Sequence, residues 1–177
     1  TSCAAGCGKT TTAVNLGITF AAENKRVLLI DANFRRPALN ELFPAEGSPH
    51  GLSNVLVGQM SVSDVIRTSE IKNLDLGDSG PLPPNPADLL NNKRMRDFLA
   101  SQKQYYDYII IDGPPSLVLI DSRIISNLVD GTIVVVHAEQ TSRGMVQRMI
   151  RELRNSKGRI LGALLNDVKH RKGGYFA

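Results

Sequence analysis

Ser2-Cys3-Ala4-Ala5-Gly6-Cys7-Gly8-Lys9-Thr10 is a glycine-rich turn that runs straight into a helical pattern. Gly6 and Gly8 let the backbone curl so that N–H groups point inward, at the positive end of the next helix. Cys7 lies between them and lends its backbone to the same cradle. Lys9 would set a cation against the β- and γ-phosphates of a nucleoside triphosphate. The Thr10 hydroxyl would ligate Mg2+, and Thr11 would touch the α-phosphate. Cys3 stands where the common pattern has its first glycine, so the match rests on the Gly-Lys-Thr ending.

Outward from this loop the chain alternates between helical and strand patterns. Residues 9–22 carry Ala13, Val14, Leu16, Ile18 and Phe20, as a first helix would. Val27 to Ile30 is a continuous apolar run ending in Asp31, and Tyr108 to Ile111 is a second one ending in Asp112. Both read as strands buried on two faces. Further strands are expected at 132–136 and 160–165, and helices at 87–101, 124–128 and 141–155. Pro86 is suited to open the first of these helices. Residues 37–67 read as short helices and loops, at 53–56 and 62–66. The resulting fold class is α/β: a P-loop NTPase-type, mostly parallel β-sheet with helices on both faces and ligands at the strand C-terminal ends.

A carboxylate at the end of a buried strand is costly unless it meets a cation or a donor. Asp31 and Asp112 are therefore expected to face the magnesium beside Thr10, with ATP as the nucleotide.

The 177 residues suit a single domain, 1–177, with a basic tail at about 167–177. Apolar residues at 42% and charged residues at 21% are ordinary for a globular protein. No apolar run is long enough to span a bilayer. Cys3 and Cys7 are too few for a disulfide framework and fit a reducing cytosol, so a cytoplasmic location is expected. In the turn they read as small residues in a tight space. The net charge of +4 draws on Lys169, His170, Arg171 and Lys172, read as a solvated tail. Aromatic residues are few and not interleaved with basic ones, which argues against a nucleic-acid partner. A loop of this kind is normally fed by a buried strand, yet it lies within a few residues of Thr1. The chain is therefore expected to be an N-terminally truncated piece of a longer protein.

The combination of GKT, VLLIDANFRRP, PLPPNPADLL, YDYIIIDGPP, DSRIISNLVDG and LLNDVKHRKGGY resembles the bacterial tyrosine kinases, over essentially the whole chain. These are similar to the cytoplasmic domains of polysaccharide co-polymerases. The resemblance implies a protein-tyrosine autokinase of exopolysaccharide and capsule assembly that uses ATP and Mg2+. It implies homo-oligomers, as a ring or dimer, beside a membrane co-polymerase segment, fused or separate, at the inner face of the membrane. Carried over by position, Asp31 would be the base or metal-facing carboxylate and Asp112 the second acid. Arg35 would steer phosphate or brace a neighbouring subunit, and Asn166 would contact the adenine. Tyr175, the one tail tyrosine, would be the phospho-acceptor.

Two positions depart from that pattern. Asn33 stands where the family has a second aspartate, and an amide carries no negative charge. A dense tyrosine cluster is replaced by Tyr175 alone; Tyr105, Tyr106 and Tyr108 read as packing residues. The alternative readings are an ATP-binding pseudokinase module and a slow ATPase switch of the septum- and plasmid-positioning type. Ala4 counts against the second, because such ATPases carry a lysine there.

Overall fold

The structure, a computed structural model, describes residues 1–44 and 50–169. Helix α1 (Lys9–Ala22) follows the glycine loop and leads to strand β1 (Val27–Asp31). Every residue of β1 is buried, and the alternation explains why the run is apolar throughout. Leu28 and Ile30 enter one core with Phe34, Leu52, Leu56, Leu90 and Phe98. Val27 and Leu29 enter another with Val14, Ala21, Leu74 and Leu76. Helix α1, with Leu39 of the short helix α2 (Leu39–Leu42), therefore covers one face of the sheet. Helices α3 (Leu52–Val57), α4 (Pro86–Leu90), α5 (Lys93–Gln102) and α6 (Asp121–Ser126) gather on the other.

The main sheet has four strands in the order β2-β3-β1-β4. Strand β4 (Tyr108–Asp112) and strand β3 (Leu74–Gly77) pair with β1 in parallel, and β2 (Ile66–Thr68) is an antiparallel edge. A second sheet pairs β5 (Thr132–His137) with β6 (Ile160–Asn166), backed by α7 (Arg143–Asn155) through Met149 and Leu153. The residues entering the glycine loop join the two sheets. Ser2 bridges to Val135 in parallel, and its carbonyl accepts the Ser116 N–H at 2.9 Å.

The mostly parallel α/β reading stands, with three corrections. Residues 66–68 and 74–77 are strands, and neither was expected. Each is short, and its extended form is set by pairing rather than by its own pattern. The helix expected over 87–101 is two helices, because the Asn92 side chain accepts the Met95 N–H at 2.9 Å and caps α5 separately. Helix α6 begins at Asp121, earlier than expected. Tyr106 and Tyr108 make packing contacts, whereas Tyr105 is exposed and does not bear out that expectation. The Tyr108 ring stacks on Phe20 with centroids 4.1 Å apart, and Tyr106 donates its hydroxyl to Asp75 at 2.8 Å. Of the basic tail, residues 170–177 lie outside the described residues, and Tyr175 with them. Lys169 is ion-paired to Glu139 at 2.6 Å.

Candidate active site

Gly8 caps α1 with φ +83°, and Gly6 also takes a positive φ of +76°. This is the left-handed region that glycine enters without strain, and it bends the loop around the start of α1. The first N–H groups of an α-helix have no intrahelical acceptor. In α1 these belong to the turn that carries Lys9, Thr10 and Thr11. The loop is held from behind by β6. Asn166 donates its side-chain amide to the Cys7 carbonyl at 3.1 Å, and a Cβ on Gly8 would overlap that amide.

Strands β1 and β4 are in register, with Asp31 opposite Asp112, so both carboxylates reach the same end of the sheet. Thr10 donates its hydroxyl to Asp112 Oδ2 at 2.5 Å. This contact joins the first turn of α1 to the end of β4. Burial pushes the Asp112 carboxyl up, while the Thr10 hydrogen bond and the Lys9 charge pull it down. Burial also lowers Lys9, against the pull of Asp112. Thr10, Asp31 and Asp112 offer hard oxygen donors of the type magnesium takes, alongside phosphate and water. The residues therefore fit Mg2+ together with a nucleotide phosphate. Among the described residues no cluster of three or more His, Cys, Asp or Glu could hold a metal without such help.

Asp31 also organises its own loop. Its Oδ1 accepts the Asn33 N–H at 3.0 Å, and its Oδ2 accepts those of Ala38 and Leu39 at 2.8 and 3.0 Å. Burial nonetheless raises its carboxyl from the ordinary 3.8 to about 6. A folded value above the unfolded one means that the folded protein holds the extra proton between those limits. In the nucleotide-free, metal-free protein this group therefore lowers stability as pH rises from about 4 to about 6, by on the order of 2–3 kcal/mol. Urea unfolding across that window should show the decline, and Asp31→Asn should flatten it. A wild-type curve no steeper than that of the variant would refute the assignment.

Asn33 turns away from this centre and donates its amide to the Arg36 carbonyl at 2.7 Å. Arg35 reaches across to α6, with Nε 3.1 Å from Asp121 Oδ2. Sequence reading missed Asp121. It is 2% exposed, and its Oδ1 has no partner among the described residues. Only its place shortly after the Asp112 loop, at the opening of a helix, could have marked it. The adjacent Ser122 hydroxyl donates to the Pro114 carbonyl, so α6 is tied to the loop that follows Asp112.

The glycine loop, Lys9, Thr10, Thr11 and Asn166 thus share one end of the fold with Asp31 and Asp112. Arg35 is anchored at the flank. Cys3 and Cys7 are both buried, with Cys3 packed on Met149, which favours the reading of space-filling residues. A cavity of about 290 Å³ along β4, lined by Lys103, Asp107, Ile109, Ile111 and Asp130, includes none of these residues.

The family model described as an AAA domain matches residues 3–164. The chain is 38% identical to tyrosine-protein kinase YwqD of Bacillus subtilis, over 99% of this chain and 75% of that protein. The kinase domain of Escherichia coli tyrosine kinase ETK superposes with a TM-score of 0.93 at 30% identity, covering 100% of this chain and 69% of that one. The septum site-determining protein MinD of Pyrococcus horikoshii gives 0.76 at 22% identity, over 93% and 68%, a likeness of fold alone. The paired strand-end carboxylates, the glycine loop and the extent of these matches agree: the chain belongs to the family of bacterial tyrosine-protein kinases.

Proposed function

We propose that this domain binds ATP with Mg2+ on the Gly6–Thr10 loop and transfers the γ-phosphoryl group to tyrosine hydroxyls of its own kind, in capsule or exopolysaccharide assembly. The observation that carries the reading is the Thr10–Asp112 hydrogen bond beside Lys9, which gathers hydroxyl, carboxylate and cation at one helix N-terminus. Phosphoryl transfer asks mainly for positioning and charge neutralisation, and this set supplies both. Lys9 and the N–H groups of the loop hold the β- and γ-phosphates. Thr10 and Asp112 hold the cation, which when bound draws charge from the phosphate oxygens. Asn166 fixes the loop through Cys7 and faces the base with its remaining oxygen.

In the transfer, the tyrosyl oxygen bonds to the γ-phosphorus, the bond to the β-phosphate oxygen breaks, and ADP leaves. Asp31 takes the tyrosyl proton. A carboxyl held near 6 is a better base than an ordinary one. Arg35, steadied by Asp121, steers phosphate or the neighbouring copy. Homo-oligomers and a membrane co-polymerase segment, fused or separate, complete the assembly at the inner face of the membrane. Tyr175 is the proposed acceptor within this chain.

The test is incubation of the full-length protein with Mg2+ and γ-labelled ATP, followed by phosphopeptide mapping, with Lys9→Met as control. Label on tyrosine supports the reading. ATP bound or hydrolysed without label on protein would move the assignment to a nucleotide switch or a binding module.

One observation favours weakened transfer, namely the Asn33 amide spent on the Arg36 carbonyl. Asn33→Asp should raise the transfer rate. It should also destabilise the protein by about 1 kcal/mol, because a carboxylate would face that carbonyl without a donor. An unchanged rate, measured beside an unfolding curve, would remove Asn33 from the mechanism.

A further inference from the structure

Helix α7 buries Met149 and Leu153 against β5, with Met145 and Val146 partly covered. Its other side carries four arginines and no acid. At 3.6 residues per turn, Arg143, Arg148, Arg151 and Arg154 fall with Gly144, Gln147 and Asn155 inside an arc of about 140°. All seven are exposed and none is acidic. The helix has one acid, Glu152, which lies on the flank and is paired with Arg123 at 2.9 Å. Exposed Lys157 and Arg159 follow directly.

These six basic side chains have no acidic partner among the described residues, whereas Arg26, Arg35, Arg67 and Arg123 each have one. The whole chain carries +4, so with these six set aside the rest carries a net −2. Six of the chain's 21 Lys and Arg residues thus lie on one helix face and the turn after it, with no acid interposed on that face. Within that face a cavity of about 330 Å³ is lined by Gln147, Ile150, Arg151, Arg154 and Asn155.

We propose that this face of α7, with Lys157 and Arg159, docks on the surface of a bilayer containing anionic phospholipid, and that the cavity between Arg151 and Arg154 receives a phosphodiester headgroup. Charge complementarity to a surface of many identical anions carries the choice. A protein interface keeps an apolar centre, whereas the one apolar side chain at this cavity, Ile150, is half-buried at the edge of the arc. A single-stranded nucleic acid would call for stacking rings, and α7 has none. The proposal stands whether or not the domain transfers phosphate.

Flotation of the purified protein with vesicles of phosphatidylglycerol in phosphatidylcholine, and with phosphatidylcholine alone, tests it. Binding should occur on the first and not the second, and should be lost at high salt. Arg148→Glu/Arg151→Glu/Arg154→Glu should lower binding at least about tenfold, with ATP affinity and Tm unchanged. The matching triple Arg→Lys variant should retain most of it. If the Glu variant unfolds, the Arg→Gln triple is read instead. No binding to anionic vesicles, equal binding to neutral ones, or wild-type binding by the charge-reversed variant overturns the proposal. So does preferential capture by an acidic peptide or duplex DNA in competition with the vesicles.

Discussion

Lys9→Met should lower phosphoryl transfer by about a thousandfold or more, with a parallel loss of ATP affinity. Methionine keeps most of the length of the side chain, so α1 and its packing should survive. The cation does not. Lys9 is a nearby positive charge that pulls the buried Asp112 carboxyl downward. Its removal leaves Asp112 with the Thr10 hydroxyl and takes away the group that meets the β- and γ-phosphates. Two buried carboxylates would then face incoming phosphate with no side-chain cation between them. Equilibrium binding of a labelled nucleotide and single-turnover transfer separate the two losses. A variant that binds and transfers like the wild type would sink the phosphate-loop reading outright.

Gly8→Ala should act on both stability and nucleotide affinity. An L-residue at φ +83° costs about 1–2 kcal/mol in backbone strain. The new Cβ would also push the Asn166 amide off the Cys7 carbonyl, undoing the bond that braces the loop. Together these should remove roughly 2 kcal/mol of stability and weaken ATP binding about tenfold or more. Asn166→Ala alone should have a smaller effect, on the order of 1 kcal/mol. The double variant relieves the overlap but not the strain, so it should be less harmed than the two single effects added together. Strict additivity would mean that Asn166 does not support the loop. Thermal unfolding and ATP titration of the set decide it.

The pattern of residues in the chain was enough for the central strands and the first helix. In Val27 to Ile30 every position is apolar because β1 is buried on both sides, whereas in the similar run of β4 Ile109 to Ile111 are only partly buried and Tyr108 is exposed; both runs could be recognised without a partner. The phosphate loop was legible for a related reason: a glycine at positive φ followed by Lys and Thr is local chemistry, contained within a few residues. The strand-end aspartates followed, since a buried carboxylate demands an explanation wherever it falls.

Other features depend on residues far apart in the chain. Strand β3 is extended because Leu74 to Gly77 pair with Val27 to Ile30, and nothing within four residues of mixed character announces that. The split between α4 and α5 turns on the Asn92 side chain choosing the Met95 N–H. The Asp121–Arg35 pair spans 86 positions, and the Asn166–Cys7 bond spans 159. The basic arc of α7 was present in the letters, but only burial of Met149 and Leu153 showed which side faces out. Sequence alone determined the class of ligand, because glycine, lysine and threonine act through their local geometry. The tertiary structure decided how the acids, the bracing amide and the anchored arginine meet, because those contacts exist only once the strands are in register.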